Sequence, residues 1–183
     1  MPSSVHDRAI VRKPGRGTGY AGGMERPPPA AQVLKTLRIV VGVLMLGLLI
    51  TTLMMALMTQ TGRTQPQPQS GSELMLLVVA GAWVVAAGTS FAMRGMFVSQ
   101  ARARWDGARG DNPEEALAPV FMASTIARAA MIEGAGLFGA IAFFVYGQTL
   151  ALLAPLLSLG LMGLMFPAND KFRAFVHEVT GKI

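Results

Sequence analysis

The chain contains no cysteine, which excludes disulfides, zinc thiolate centres and thiol nucleophiles together. Histidine is almost missing as well: only His6 and His177 occur, so no His pair can hold a metal. Charge is scarce at 14% of 183 residues, roughly half the share usual in a soluble domain. No serine has a base at a plausible spacing and no acids cluster within the apolar blocks. Together these absences predict that the chain is not an enzyme and needs no cofactor or metal.

What is present is hydrophobic. Such residues make up 52% of the chain and are bunched into long blocks, accompanied by 21 Gly and 13 Met. In lipid, glycine lets helix backbones approach closely, and methionine fills irregular gaps. Met54, Met55 and Met58 therefore read as packing and lipid contact, since a soft-metal site would need Cys or His beside them. The net charge of +6 points to membrane topology and anionic lipid headgroups as partners, not to nucleic acid.

Residues 1–32 are rich in Pro, Gly and Arg and lack hydrophobic periodicity, which predicts a disordered, basic cytoplasmic arm. Gly17-Thr18-Gly19-Tyr20-Ala21-Gly22 spells a GxGxxG pattern, but no strand precedes it and no crossover helix follows. Residues 39–58 and 74–93 are uncharged blocks of twenty residues each. At about 1.5 Å per residue, each spans the roughly 30 Å of a hydrocarbon core. The Gln-Pro-Gln-Pro stretch between them must be a loop.

Residues 95–128 mix charge, Gly and polar groups. Asn112-Pro113-Glu114-Glu115 is a helix-start pattern, leading either to an interfacial helix or directly into a third span, with Pro119 as a candidate bend. Asp106, Asp111, Glu114 and Glu115 are explained by capping and by balance against Arg102, Arg104 and Arg109. Residues 134–166 then run without a charge, too long for one span, and Tyr146-Gly147-Gln148 is the natural break. Pro155 is tolerable if it falls near the first turn of the helix that follows.

The expected fold is thus all-α: a four-transmembrane-helix bundle over residues 33–166, with spans at about 37–58, 74–94, 127–146 and 150–166. Residues 167–183 form a cytoplasmic tail in which Asn169 or Asp170 caps an amphipathic helix lying on the inner leaflet. On that helix Phe172, Phe175, Val176 and Val179 share one face, while Lys171, Arg173 and Lys182 suit headgroups. Lys and Arg number seven before Ile39, one in the first loop, five in residues 94–128, none in the second turn and three after Phe166. That alternation places both termini in the cytoplasm of a multi-pass protein of the bacterial inner membrane.

One residue carries chemistry inside the apolar blocks. Glu133 lies five residues past Arg128, roughly 7 Å inside the cytoplasmic edge. A carboxylate at that depth is costly unless neutral, paired or hydrated, so it should face the bundle interior. Thr89, Ser90, Arg94 and Arg128 are the candidate partners. Around it lie the small residues Ala130, Gly134, Gly136, Gly139 and Ala140, of which Ala130 to Gly134 and Gly136 to Ala140 have the small-xxx-small spacing of close crossings, with Ala82 and Ala86 matching them on the second span. These stripes predict a tight antiparallel hairpin of spans two and three, with Glu133 at the contact.

The run Glu133-Gly134-Ala135-Gly136-Leu137-Phe138-Gly139-Ala140-Ile141 resembles the carboxylate helix of the proteolipid c subunits of rotary ATP synthases. The resemblance implies that Glu133 carries a proton or ion and that the loop joining spans two and three is cytoplasmic. The second span departs from the family's strict glycine repeat, the connecting segment is longer, and further spans flank the hairpin. The chain also resembles small bacterial four-span proteins with a glutamate in the same helix, a likeness that implies no activity. Two readings follow: a structural or assembly component, alone or in a homo- or hetero-oligomer, in which Glu133 locks spans two and three; or a proton- or ion-handling bundle in which Glu133 titrates.

Overall fold

The computed structural model describes residues 30–61, 72–108 and 112–181, and among these every regular element is a helix. Most of the arm expected over 1–32, the GxGxxG pattern and His6 lie outside the described residues; Ala30, Ala31 and Gln32 open the first helix. The helices are α1 (Ala30–Gln60), α2 (Ser72–Ala108), α3 (Pro113–Tyr146), a 3-10 turn (Thr149–Leu152) running into α4 (Leu153–Leu164), and α5 (Asn169–Thr180).

Three of these, α1, α2 and α3, are long and apolar enough to cross a membrane. The 3-10 turn and α4 together reach roughly 26 Å at the usual rises. They pass the same test only in combination with α5, from which they are bent by 70°. Large apolar side chains cover the outside of the long helices: Leu77, Val84 and Val85 of α2 are 72%, 65% and 66% exposed. Such a surface suits lipid and not water.

α3 is the central helix. In its most apolar stretch 44% of residues are buried, against 11% in each of α1 and α2. It packs against α1, α2, α4 and α5, while α1 and α2 share no extensive interface. α1 supplies a single buried stripe, Val33, Leu37, Val41 and Leu48, at helical spacing. At the end opposite the N-terminus of α1, Val79, Ala142, Phe143, Ala151 and Ala154 form a second, smaller core.

The break at residues 146–148 falls where expected. α3 stops at Tyr146, Gly147 adopts the left-handed conformation (φ 67°), and its N–H donates to the Phe143 carbonyl at 2.8 Å. Only glycine takes that conformation without strain, so the stop is written into the sequence. Pro155 is the third residue of α4, close enough to its start to be accommodated.

Of residues 95–128, the described ones apart from Asn112 are helical, and the helix that starts at Pro113 feeds directly into the third apolar block. α2 continues fourteen residues beyond Arg94, and α3 begins at Pro113 with Asn112 as its N-cap residue, running unbroken through Pro119 into the apolar block. The reason is α5. Val98 and Ala101 of α2, Leu117 and Phe121 of α3, and Phe172, Phe175, Val176 and Val179 of α5 form one buried core. The Phe121 ring lies 5.2 Å from that of Phe172 and 5.4 Å from that of Phe175. The apolar face of α5, expected to rest on lipid, is therefore buried against protein. Its cap differs as well. Ala168 is the N-cap residue, and Asn169 instead uses its Oδ1 to accept from Arg38 Nη2 at 2.8 Å.

Candidate functional site

Glu133 sits half-buried on α3, and its carboxyl faces α1: a β-carbon placed on Gly47 would lie 3.9 Å from Glu133 Oε1. An alanine at position 47 would make ordinary van der Waals contact with the carboxyl group. Among the described residues Glu133 makes no side-chain hydrogen bond or ion pair. The five residues between Arg128 and Glu133 amount to 500° of helix, or 140° around its surface. If one of them faces α2, the other must face elsewhere.

The four expected partners are accordingly engaged in other ways. Thr89 is exposed and donates to the Val85 carbonyl at 2.8 Å. Ser90 is fully buried and accepts from Arg128 Nε at 3.4 Å, a long bond that joins α2 to α3. Arg94 pairs with Glu178 of α5 at 3.0 Å. The contact of α2 with α3 is thus marked by Arg128 and Ser90, and Glu133 adds no hydrogen bond or ion pair to it among the described residues.

The small residues divide in the same manner. Gly139 lies against α4 so closely that an added β-carbon would be 2.4 Å from Ala154 Cβ, and one on Gly136 would be 2.9 Å from Ser158 and 3.0 Å from Leu48. Their partners are α4 and α1 instead of α2. Ala140 is buried, whereas Ala130 and Gly134 are exposed, with open space beside Gly134. Ala82 and Ala86 are half-buried on α2. Beside Gly136, Trp83 Nε1 donates to Ser158 Oγ at 3.1 Å, and this polar contact ties α2 to α4.

At the opposite end from Gly147 the basic side chains converge. Arg38 Nε donates to the Pro167 carbonyl at 3.0 Å, and Arg102 Nη2 donates to the Glu178 carbonyl at 2.9 Å. Lys171 Nζ donates to the carbonyls of Leu164 and Phe166, which the end of α4 leaves without helical partners. Between α2, α3, the end of α4 and α5 lies a cavity of about 260 Å³, lined by Arg94, Arg128 and Lys171 together with Ser124 and Thr125. The sequence reading missed this convergence, because it depends on α5 folding back on α2 and α3. The only hint was that each cation stands at the edge of an apolar block. Gly47, Trp83 and Ser158 gave no signal apart from their polarity or small size.

His177 lies in the last turn of α5, beside Glu114 and Arg173 at a shallow depression. Met54 is exposed on α1, and Met55 and Met58 lie nearby. Compared with protein-family models, with curated proteins and with solved structures, the chain matches none.

Proposed function

We infer that the chain is a multi-pass membrane protein of four spans, with both termini on the cytoplasmic side, acting as a structural or assembly component and not as an enzyme. The observation that carries the topology is the segregation of charge. Arg38, Arg94, Arg102, Arg128 and Lys171 all lie at the end where α5 packs. The described residues around Gln60, Glu73 and Gly147, at the other end, include no Lys or Arg. Such one-sided charge is what the positive-inside rule requires of N-terminus, middle connection and C-terminus together. In this arrangement the 3-10 turn and α4 form the short fourth span, and α5 lies at the inner interface.

The structural role is supported by how the polar groups are used. Trp83 with Ser158, Arg128 with Ser90, Arg38 with the α4–α5 turn and Arg94 with Glu178 each join one helix to another. Reporter fusions after residues 65, 148 and 183 test the topology. The first two should report the outside and the last the cytoplasm; an outside signal at 183 overturns the four-span arrangement.

A second reading has one observation in its favour. Glu133 differs from these joining groups in having no bonded partner among the described residues, although it lies within the apolar length of α3. A carboxyl group so placed suits proton or ion exchange better than it suits a lock.

A further inference from the structure

We propose that the cavity between α2, α3, the end of α4 and α5 is a binding site for the phosphate headgroup of an anionic membrane lipid. The inference rests on the membrane reading above.

Charge comes first. Arg94, Arg128 and Lys171 line the cavity, and among the described residues no acidic side chain does. Among the described residues, the carboxylate that pairs with a lining cation is Glu178, bonded to Arg94 where the side chains are 39% exposed for Glu178 and 58% for Arg94. Of the three cations, Arg94 alone has a carboxylate partner among the described residues. The net positive charge suits the single charge of a phosphodiester, with water screening the exposed Arg94 and Lys171. Among the described residues the one hydrogen bond of Arg128 is the long one to Ser90, which leaves both terminal nitrogens of its guanidinium available for a phosphate. Lys171 spends two of its three protons on the α4 carbonyls and keeps the third.

The hydroxyls add adaptable donors. Ser124 and Thr125 both donate to the same acceptor, the Phe121 carbonyl, at 2.8 and 2.9 Å. Either hydroxyl can turn to a ligand oxygen while the other keeps the carbonyl satisfied, so binding leaves no buried acceptor orphaned. The volume, about 260 Å³, falls below the ~300–1,000 Å³ of pockets that enclose a drug-sized molecule, which suits a headgroup alone.

A lipid, and not free phosphate, is favoured by what borders the cavity. Leu164 is part of its lining and is itself 75% exposed. Leu153, Leu157 and Gly160 are also exposed and follow the same face of α4 away from the cavity, at the spacing of adjacent helical turns. An acyl chain leaving the headgroup would lie along that apolar track.

The test uses the full chain purified from detergent-extracted membranes and titrated with phosphatidylglycerol, phosphatidylcholine or inorganic phosphate. Binding is read by native mass spectrometry and by thermal stabilisation. Phosphatidylglycerol should bind at least about tenfold more tightly than phosphatidylcholine, and inorganic phosphate should compete poorly. Arg128→Gln and Lys171→Gln should each lose about tenfold, the scale of one charge-assisted bond. Lys35→Gln, exposed on α1 away from the cavity, should lose nothing. Should Arg128→Gln fail to fold, Lys171→Gln and Arg128→Lys decide, the latter retaining more binding than the former. Three results overturn the proposal: no preference for the anionic lipid, equal losses in Lys35→Gln and the cavity variants, or full competition by inorganic phosphate. A chain that alkaline carbonate releases from membranes would instead defeat the membrane reading itself.

Discussion

At the scale of single residues, Glu133 shows how far a sequence argument can reach. Its presence in an apolar helix was legible, because it follows from counting residues along one strongly patterned element. Its direction was not. Small residues lie on several faces of α3, so no periodicity says which face meets which neighbour, and Gly47 of α1 took the place that Thr89 and Ser90 were expected to fill. The direction yields a prediction. A hydrophobic carbodiimide attacks the protonated acid, so in intact membranes it should label Glu133 selectively. Labelling should fall as pH rises through the titration of that group or as a bound cation is added. Peptide mapping by mass spectrometry reads the adduct, and Glu133→Gln should abolish it. Absence of label at Glu133 would sink the proton-handling reading and leave the structural one.

At the scale of the helices, the contrast between two glycines separates close packing from mere smallness. Both belong to the same small-residue run, yet Gly139 has Ala154 within clashing distance of an added β-carbon and Gly134 has nothing within 4 Å. Gly139→Val should therefore force α3 from α4, at a cost of about 1–3 kcal/mol or more, as overpacked sites do. Gly134→Ala should be neutral or should stabilise α3 by roughly 0.5–1 kcal/mol, the usual gain over glycine within a helix. Thermal unfolding in detergent compares them, and equal effects would contradict the packing described. Helix boundaries had a similar mixed legibility. The stop at Gly147 was visible because its backbone geometry demands glycine. The continuation of α2 to Ala108 was hidden, since residues 95–108 expose enough charge to resemble a loop. Their buried side, Val98 and Ala101, acquires meaning only when α5 is laid on it.

At the scale of the whole molecule, three long apolar helices and a one-sided basic end were both recoverable from composition and charge order. The contact pattern was not, because α1 and α2 are as apolar as α3 yet remain peripheral. That pattern predicts how fragments behave. A chain ending at residue 108 keeps two apolar helices but loses the helix that both pack against, so it should be cleared rapidly by proteolysis in pulse–chase labelling. Co-expression with residues 109–183 should restore its lifetime. A truncated chain as long-lived as the full one would show that α1 and α2 do associate directly.

The central position of α3 also sets an order of events. Ribosomal synthesis delivers α1 and α2 first, and neither offers the other an extensive surface. During that interval the two helices share no extensive interface, and Trp83 still lacks the Ser158 hydroxyl of α4 that it bonds in the full chain. The arrival of α3 supplies a surface for each of them, and α4 and α5 then close on what α3 has gathered. The molecule therefore commits to its shape late in translation, and the interval before α3 appears is when an insertion or quality-control factor would find it most open.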